Sequence, residues 1–249
     1  MDGSVSALPP AAEPAAPPLR PLWARAVGLV SAPRSVFEQL AGRPAWFWAT
    51  AVTSIVALVL TFVIYEPVIL PTMIERAEQQ GLASAQLAQV EAAYASAPAK
   101  LATAAWAAAA NFGALVVIGL LLYAACSFLL GGKARVKQAL AVAGHAMLVH
   151  VPRSLILLPV MLLRGDPYAS LGPGVLFPPA EAEGFAARFL AMFLNNALDL
   201  FNLWSLALCI LGMSVVSRLP VKQVGTTVVV AYFALSALMA LGGAALQPH

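Results

Sequence analysis

A cluster of amide and carboxyl side chains lies at the start of a long apolar run in the last quarter of the sequence. Asn195, Asp199 and Asn202 are spaced i, i+4 and i+7, which predicts that they share one face of a helix. An acid and two amides in this position can pair with a cation or line a path for protons or a polar substrate. Because hydrocarbon cannot satisfy them, we expect partners on neighbouring helices, in a water-filled cavity or among lipid head groups.

Four other polar side chains interrupt apolar runs: Asn111, His145, His150 and Arg153. Arg153 lies about ten residues, roughly 15 Å of helix rise, from the end of its run. An unpaired arginine there would cost about 2.5 kcal/mol or more, so we predict that Arg153 faces the bundle and pairs with Asp199 or an acceptor beside it. The favoured interpretation is a structural ion pair that fixes helix order. The alternatives are a proton or substrate path, or no contact.

The two histidines differ by five residues, about 140° around a helix, and therefore cannot bind one metal ion together without distortion. We predict hydrogen-bonded core histidines; the alternative, a single ligand to a metal or haem, lacks visible partners. The sequence contains no GxxxxGK[ST], HExxH or GxSxG motif. We therefore predict no catalytic residue, no cofactor and no metal site, and consider an intramembrane enzyme with a histidine base the least favoured function.

Composition defines the class of protein that must position these groups. Apolar residues form 61% of the 249, charged residues only 10%, and the mean hydropathy is +0.85. These values predict an all-α integral membrane protein with five transmembrane helices and juxtamembrane amphipathic helices. The net charge of +3 is too small to indicate a nucleic-acid partner. The lipid bilayer is the first expected partner.

The chain divides into three parts. Residues 1–20 are a Pro/Ala-rich tail that we expect to be disordered and not a cleaved signal peptide. Residues 21–43 form an amphipathic interfacial segment, and residues 44–249 form the transmembrane domain. The predicted spans are 44–66, 103–130, 138–163, 197–217 and 224–246.

Prolines and a short apolar face set finer expectations. Glu66 and Pro67 are predicted to end the first span, and Pro152 to kink the third. In the interfacial segment, the apolar face before Pro33 consists of Leu22, Ala26, Leu29 and Val30. A plain soluble linker is the alternative for residues 21–43.

Basic residues predict the topology. With the N-terminus inside, the inner segments hold nine basic residues and the outer segments four. The nine are Arg20, Arg25, Arg34, Arg43, Lys133, Arg135, Lys137, Arg218 and Lys222. This bias predicts a cytoplasmic N-terminus and a C-terminus on the outer side.

Several segments resemble one known family. They are APRSVFEQL at 32–40, RPAW at 43–46, LDLFNLW at 198–204, LGM at 211–213 and RLPVK at 218–222. In this order, with five spans, they resemble the bacterial branch of the Yip-domain family over most of residues 30–245. The resemblance implies a multi-pass protein of the bacterial inner membrane without an active site. Eukaryotic relatives associate with Rab GTPases, but their DLYG and GTPLLFGI segments are absent here, so that partner is not carried over.

Two functions of different classes remain. The first is a non-enzymatic Yip-like scaffold or interaction protein in membrane organisation or trafficking-like processes, with a protein partner or a second copy of itself. The alternative is a transport component, either a small carrier or the membrane subunit of a transporter complex, that uses the polar cluster. We expect no small-molecule substrate for the first. A cluster closed onto Arg153 would favour the scaffold, and a cluster open to water would favour transport.

Overall fold

The computed structural model describes residues 19–167, 169–173 and 184–246, and this part of the chain is helical, without strands. Five of its segments are long and apolar enough to cross a membrane: Phe47–Gln79, Ala97–Leu129, Val136–Arg164, Leu200–Ser217 and Val221–Ala245. The predicted fold class, an all-α integral membrane protein with five spans, is therefore confirmed. The tail at 1–20 lies almost entirely outside the described residues, so its predicted disorder stays a prediction.

Eleven α-helices follow one another in the described residues. They are α1 (Leu22–Ser31), α2 (Pro33–Gly42), α3 (Phe47–Ile64), α4 (Leu70–Gln79), α5 (Ser84–Tyr94), α6 (Ala97–Tyr123), α7 (Val136–Ala146), α8 (His150–Arg164), α9 (Phe185–Ala197), α10 (Leu200–Ser217) and α11 (Val221–Leu246). A π-helical turn joins α3 to α4, another extends α6 to Leu129, and one turn of 3-10 helix joins α7 to α8.

The helix of the first span continues past Glu66 and Pro67, where the sequence predicts that the span ends. The N–H of Leu70 bonds to the carbonyl of Tyr65, five residues earlier, which widens Tyr65–Ile69 into a π turn. A widened turn accommodates the ring of Pro67 and its missing N–H without ending the helix. Glu66 and Pro67 therefore do not end the helix, because α3 continues through the π turn into α4. The residue at which the first span leaves the membrane stays a prediction.

The third span is irregular near Pro152. The 3-10 turn covers Met147–Val149, and α8 begins at His150. Because a prolyl ring conflicts with the carbonyl four residues earlier, a change of helix type just before Pro152 relieves that conflict. This change sets the direction in which α8 carries His150 and Arg153.

The fourth passage is broken between α9 and α10. Leu198 and Asp199 separate the two helices, and Asp199 has an extended backbone with φ −63° and ψ 132°. The hydroxyl of Tyr232 on α11 donates to the carbonyls of Asn196 at 3.2 Å and Ala197 at 3.1 Å. These bonds satisfy carbonyls that the end of α9 leaves without helical partners. We refer to residues 198–199 as the α9–α10 break.

The first two helices form a pair, the α1–α2 unit (residues 22–42), which packs against α7 and α10. Val36, Phe37 and Leu40 of α2 have no exposed surface. Gly212 of α10 allows this close approach, since a β-carbon there would lie 2.9 Å from the ring of Phe37. The buried side of the α1–α2 unit therefore contributes to the protein core, beyond the interfacial contact that the sequence predicts.

Helix α1 has one buried and one exposed side. Leu29 is 2% exposed, whereas Val30, predicted on the same face, is 66% exposed. Trp23 and Val27 are exposed on the same side as Val30. The predicted face is thus wrong at Val30, because α1 packs through the side that carries Arg25 and Leu29.

Candidate functional site

Asp199 caps helix α10. Its Oδ1 accepts hydrogen bonds from the backbone N–H groups of Phe201 at 3.0 Å and Asn202 at 3.2 Å. These are two of the N–H groups that the first turn of a helix leaves without partners, and aspartate is among the residues preferred at this position. The carboxylate also interacts favourably with the positive end of the α10 dipole. Asp199 is thus placed by its own helix, and its side chain is 0% exposed.

Arg153 on α8 pairs with this carboxylate. Its Nη2 lies 3.2 Å from Oδ2 of Asp199, and its Nε lies 3.3 Å from Oδ1 and 3.2 Å from Oδ2. One edge of the guanidinium therefore faces both carboxylate oxygens, which is the strong geometry for an arginine–carboxylate pair. The ion pair that the sequence predicts is present, and it links α8 to the α9–α10 break.

A short loop at 169–173 covers the break. The N–H of Leu171 donates to Oδ2 of Asp199 at 3.3 Å, and the hydroxyl of Ser170 donates to the carbonyl of Asn195 at 3.2 Å. A β-carbon at Gly172 would lie 3.2 Å from the carbonyl oxygens of Leu194 and Asn195. The loop therefore passes close to the backbone of the break and contributes a third N–H to the carboxylate.

The two asparagines do not join the ion pair through their side chains. Asn195 belongs to α9, and its Oδ1 is buried without a hydrogen bond to the described residues. Asn202 belongs to α10, and its Nδ2 donates to the carbonyl of Asn196 at 2.7 Å. The prediction that Asn195, Asp199 and Asn202 share one helix face is wrong, because the chain leaves the helix at Asp199.

Asn111 links α6 to α3. Its Nδ2 donates to the hydroxyl of Ser54 at 3.1 Å and contacts the hydroxyl of Thr53 at 3.4 Å. The Thr53 hydroxyl donates in turn to the carbonyl of Thr50 at 2.8 Å. Asn111 is therefore a polar contact between two spans, separate from the ion pair.

His145 has the buried, hydrogen-bonded environment that the sequence predicts. It is 0% exposed, its Nδ1 lies 2.8 Å from the carbonyl of Ala141, and its Nε2 lies 2.7 Å from Nη1 of Arg25. Because arginine has only donors, Nε2 of His145 accepts the hydrogen bond from Arg25. Nδ1 therefore carries the ring proton and donates to the carbonyl of Ala141. Burial lowers the pKa of the Arg25 guanidinium, which nevertheless stays protonated. Arg25 therefore ties α1 to α7.

His150 differs from His145. It is half-buried, and its ring has no hydrogen bond to the described residues. It lines a cavity together with Arg153 and Asn111. The two histidines lie in separate environments, and the described residues contain no group of three side chains suited to a metal ion.

The sequence analysis missed the role of Arg25. Arg25 was counted only among the basic residues that predict the topology, although it follows Leu22 by three residues and precedes Leu29 by four. On a helix, that spacing puts Arg25 on the packed side of α1. A cation between two apolar residues of one face was the signal that could have identified it.

The helices and their polar contacts define a multi-pass helical membrane protein in which ionic and amide groups connect neighbouring helices. Comparison with protein families then identifies the family. Residues 27–244 match the family model described as the Yip1 domain, and the chain belongs to that family. No curated protein and no solved structure matches the chain.

Proposed function

We propose that this Yip1-family protein is a non-enzymatic membrane scaffold that presents the α1–α2 unit to a protein partner or to a second copy of itself. The observation that carries the proposal is the exposed apolar stripe on α1. Trp23, Val27 and Val30 follow one another at i, i+4 and i+7 and are 72%, 62% and 66% exposed. Large exposed apolar residues on one helix face are typical of sites that contact a protein or a membrane surface.

The stripe is held in a fixed orientation relative to the spans. Helix α2 is anchored in the core by Phe37, and Arg25 of α1 bonds to His145 of α7. An interaction surface that is already ordered loses less conformational entropy on binding. A scaffold benefits from this arrangement, since its surface need not fold before it binds.

The state of the ion pair favours the scaffold over the transport alternative. Asp199 is 0% exposed, and its oxygens accept from Arg153 and from three backbone N–H groups. A carboxylate that carries protons or a substrate needs access to water, which this one lacks. The cluster is closed at Asp199, as expected for a structural ion pair.

Site-specific photo-crosslinking in membranes tests the proposal. A photoreactive residue is placed at Trp23 or Val27, and tagged and untagged copies of the full chain are expressed together. We expect a discrete protein adduct, which is a partner or the second copy. Ile55 on α3, 59% exposed, is the matched control and should yield lipid adducts alone. If Trp23 and Val27 also yield only lipid adducts, the scaffold role of α1 is contradicted.

We further propose that the protein lies in a bacterial inner membrane with a cytoplasmic N-terminus. The excess of basic residues in the segments that would then be inside supports the orientation, and the resemblance to the bacterial branch of the family supports the choice of membrane. Labelling of single cysteines introduced at Arg34 and at Gln79 tests this. A membrane-impermeant thiol reagent should label Gln79→Cys in intact cells and Arg34→Cys only after the cells are lysed. The reverse pattern would show that the N-terminus lies on the outer side.

A further inference from the structure

A cavity of about 220 Å³ lies between α3, α6 and the first turns of α8. Five of its lining residues are polar: Thr53, Asn111, His150, Arg153 and Ser154. Water in the liquid occupies about 30 Å³ per molecule, so the cavity has room for several waters or for one small polar group. Polar linings are rare inside membrane bundles and mark candidate binding sites.

Arg153 uses only one edge of its guanidinium for the ion pair. Nε and Nη2 contact Asp199, whereas no hydrogen bond from the described residues reaches Nη1. The Arg153 side chain is 24% exposed, and Arg153 is among the residues that line the cavity. Because a guanidinium has five N–H donors, unused donors of Arg153 are available to a ligand in the cavity.

The charge around the cavity favours an anion. The carboxylate of Asp199 contacts Arg153, but it also accepts hydrogen bonds from the N-terminus of α10. Its negative charge is therefore balanced by both groups. The helix N-terminus carries about half a positive charge, so guanidinium and helix together exceed the single carboxylate. The lining residues include no aspartate or glutamate in the described part of the chain.

The remaining lining groups are suited to a head group with a donor of its own. The hydroxyls of Thr53 and Ser154 donate to backbone carbonyls, which leaves their oxygens as acceptors. Asn111 uses its amide N–H groups on α3, which leaves Oδ1 as an acceptor. The ring of His150 can both donate and accept. Hydrogen-bond donors suited to an anion and neutral hydrogen-bond acceptors therefore line the same cavity.

We propose that this cavity binds an anionic phosphate head group that also carries a hydroxyl, as in phosphatidylglycerol or free glycerol phosphate. The phosphate contacts the free edge of Arg153 and the ring of His150. The hydroxyl donates to Asn111 or Thr53. This site goes beyond the scaffold function and does not depend on the exposed stripe of α1.

Native mass spectrometry of the full chain in detergent tests the proposal, with phosphatidylglycerol, phosphatidylcholine and glycerol phosphate as separate probes. We expect one phosphatidylglycerol to remain bound through delipidation, with phosphatidylcholine at least tenfold weaker because it lacks the hydroxyl and the net negative charge. Competition by glycerol phosphate at equal affinity would assign the site to a free phosphoester. Retention of the lipid without such competition would assign it to a lipid.

Two variants change the cavity without removing the ion pair: Ala57→Phe fills it from α3, and His150→Phe removes a polar group from its lining. Ile55→Phe is the matched control, because it adds the same ring on an exposed part of α3. We expect at least tenfold weaker binding in both cavity variants and unchanged binding in the control. Equal binding in all three, or no one-to-one binding of phosphatidylglycerol and glycerol phosphate, would overturn the proposal.

Discussion

Arg153 and Arg25 are both held by contacts inside the protein, but the two regions around them differ in the source of their stability. At the α9–α10 break, Arg153 meets a fully buried carboxylate that also caps α10. In the α1–α2 unit, Arg25 meets the neutral ring of His145. An ion pair and backbone hydrogen bonds stabilise the break. The α1–α2 unit is stabilised in addition by apolar packing, through the fully buried side chain of Phe37.

The difference shows how a membrane protein can hold an irregular segment and a peripheral helix. A broken passage exposes backbone N–H groups that hydrocarbon cannot satisfy. An acid at the break can accept hydrogen bonds from these groups and pair with a cation at the same time. A peripheral pair such as the α1–α2 unit has an apolar side to bury and depends less on one polar contact. Charge substitutions should therefore affect the break most, and packing substitutions the α1–α2 unit.

Asp199→Asn should have the largest effect. Asparagine keeps the capping oxygen but loses the charge, which leaves Arg153 without a counter-ion. Breaking a buried ion pair costs about 3–5 kcal/mol, and we expect about 3–4 because the Arg153 side chain is 24% exposed. Unfolding in mixed micelles with increasing SDS measures the loss.

A double variant separates charge from capping. Adding Arg153→Met to Asp199→Asn removes the uncompensated charge and should restore most of the lost stability, since paired removal of buried charges is often neutral. If the double variant is as unstable as Asp199→Asn, the lost charge is not the cause.

Gly212→Ala should have the next largest effect, through the packing of α2. A β-carbon at Gly212 would lie 2.7 Å from Cγ1 of Val142 and 2.9 Å from the ring of Phe37. Overpacking of a core costs about 1–3 kcal/mol, and we expect about 2–3 because two neighbours must move. Gly113→Ala on α6 is the control, because nothing lies within 4 Å of its β-carbon. A loss at Gly113→Ala equal to that at Gly212→Ala would argue against the packing explanation.

Arg25→Met should cost less, about 1–2 kcal/mol. The methionine stem retains part of the apolar contact, while Nε2 of His145 loses its donor. The same SDS titration measures this loss of stability. If Arg25→Met destabilises the protein more than Gly212→Ala, the polar contact rather than apolar packing holds the α1–α2 unit.

The sequence was sufficient for the number of spans and for the principal ion pair. Composition and long apolar runs predict a five-span helical protein, and the cost of an unpaired cation predicts that Arg153 meets Asp199. Both inferences follow from the solvent alone, because hydrocarbon penalises charges whatever the detailed packing. The matched segments within 30–245 likewise identified the family.

The details that failed depend on three-dimensional geometry. Pro67 lies in a π turn, which periodicity at 100° per residue does not describe. Asp199 is a cap between two helices, although its spacing from Asn195 and Asn202 suits one continuous helix. Arg25 was missed because a cation beside the membrane is usually assigned to the surface, and its contact with His145 joins residues 120 positions apart.

Glu66→Gln should have the smallest effect and provides the exposed reference for the comparison. Lys100 Nζ lies 2.7 Å from Oε1 of Glu66, but the Glu66 side chain is 69% exposed. Exposed ion pairs contribute about 0.2–1 kcal/mol because water screens them. Lys100 also lies 4.2 Å from the ring centre of Phe62, a cation–π contact that Glu66→Gln leaves in place. SDS unfolding of Glu66→Gln should therefore be close to wild type, and a loss comparable to that of Asp199→Asn would show that burial does not set the cost of breaking an ion pair in this protein.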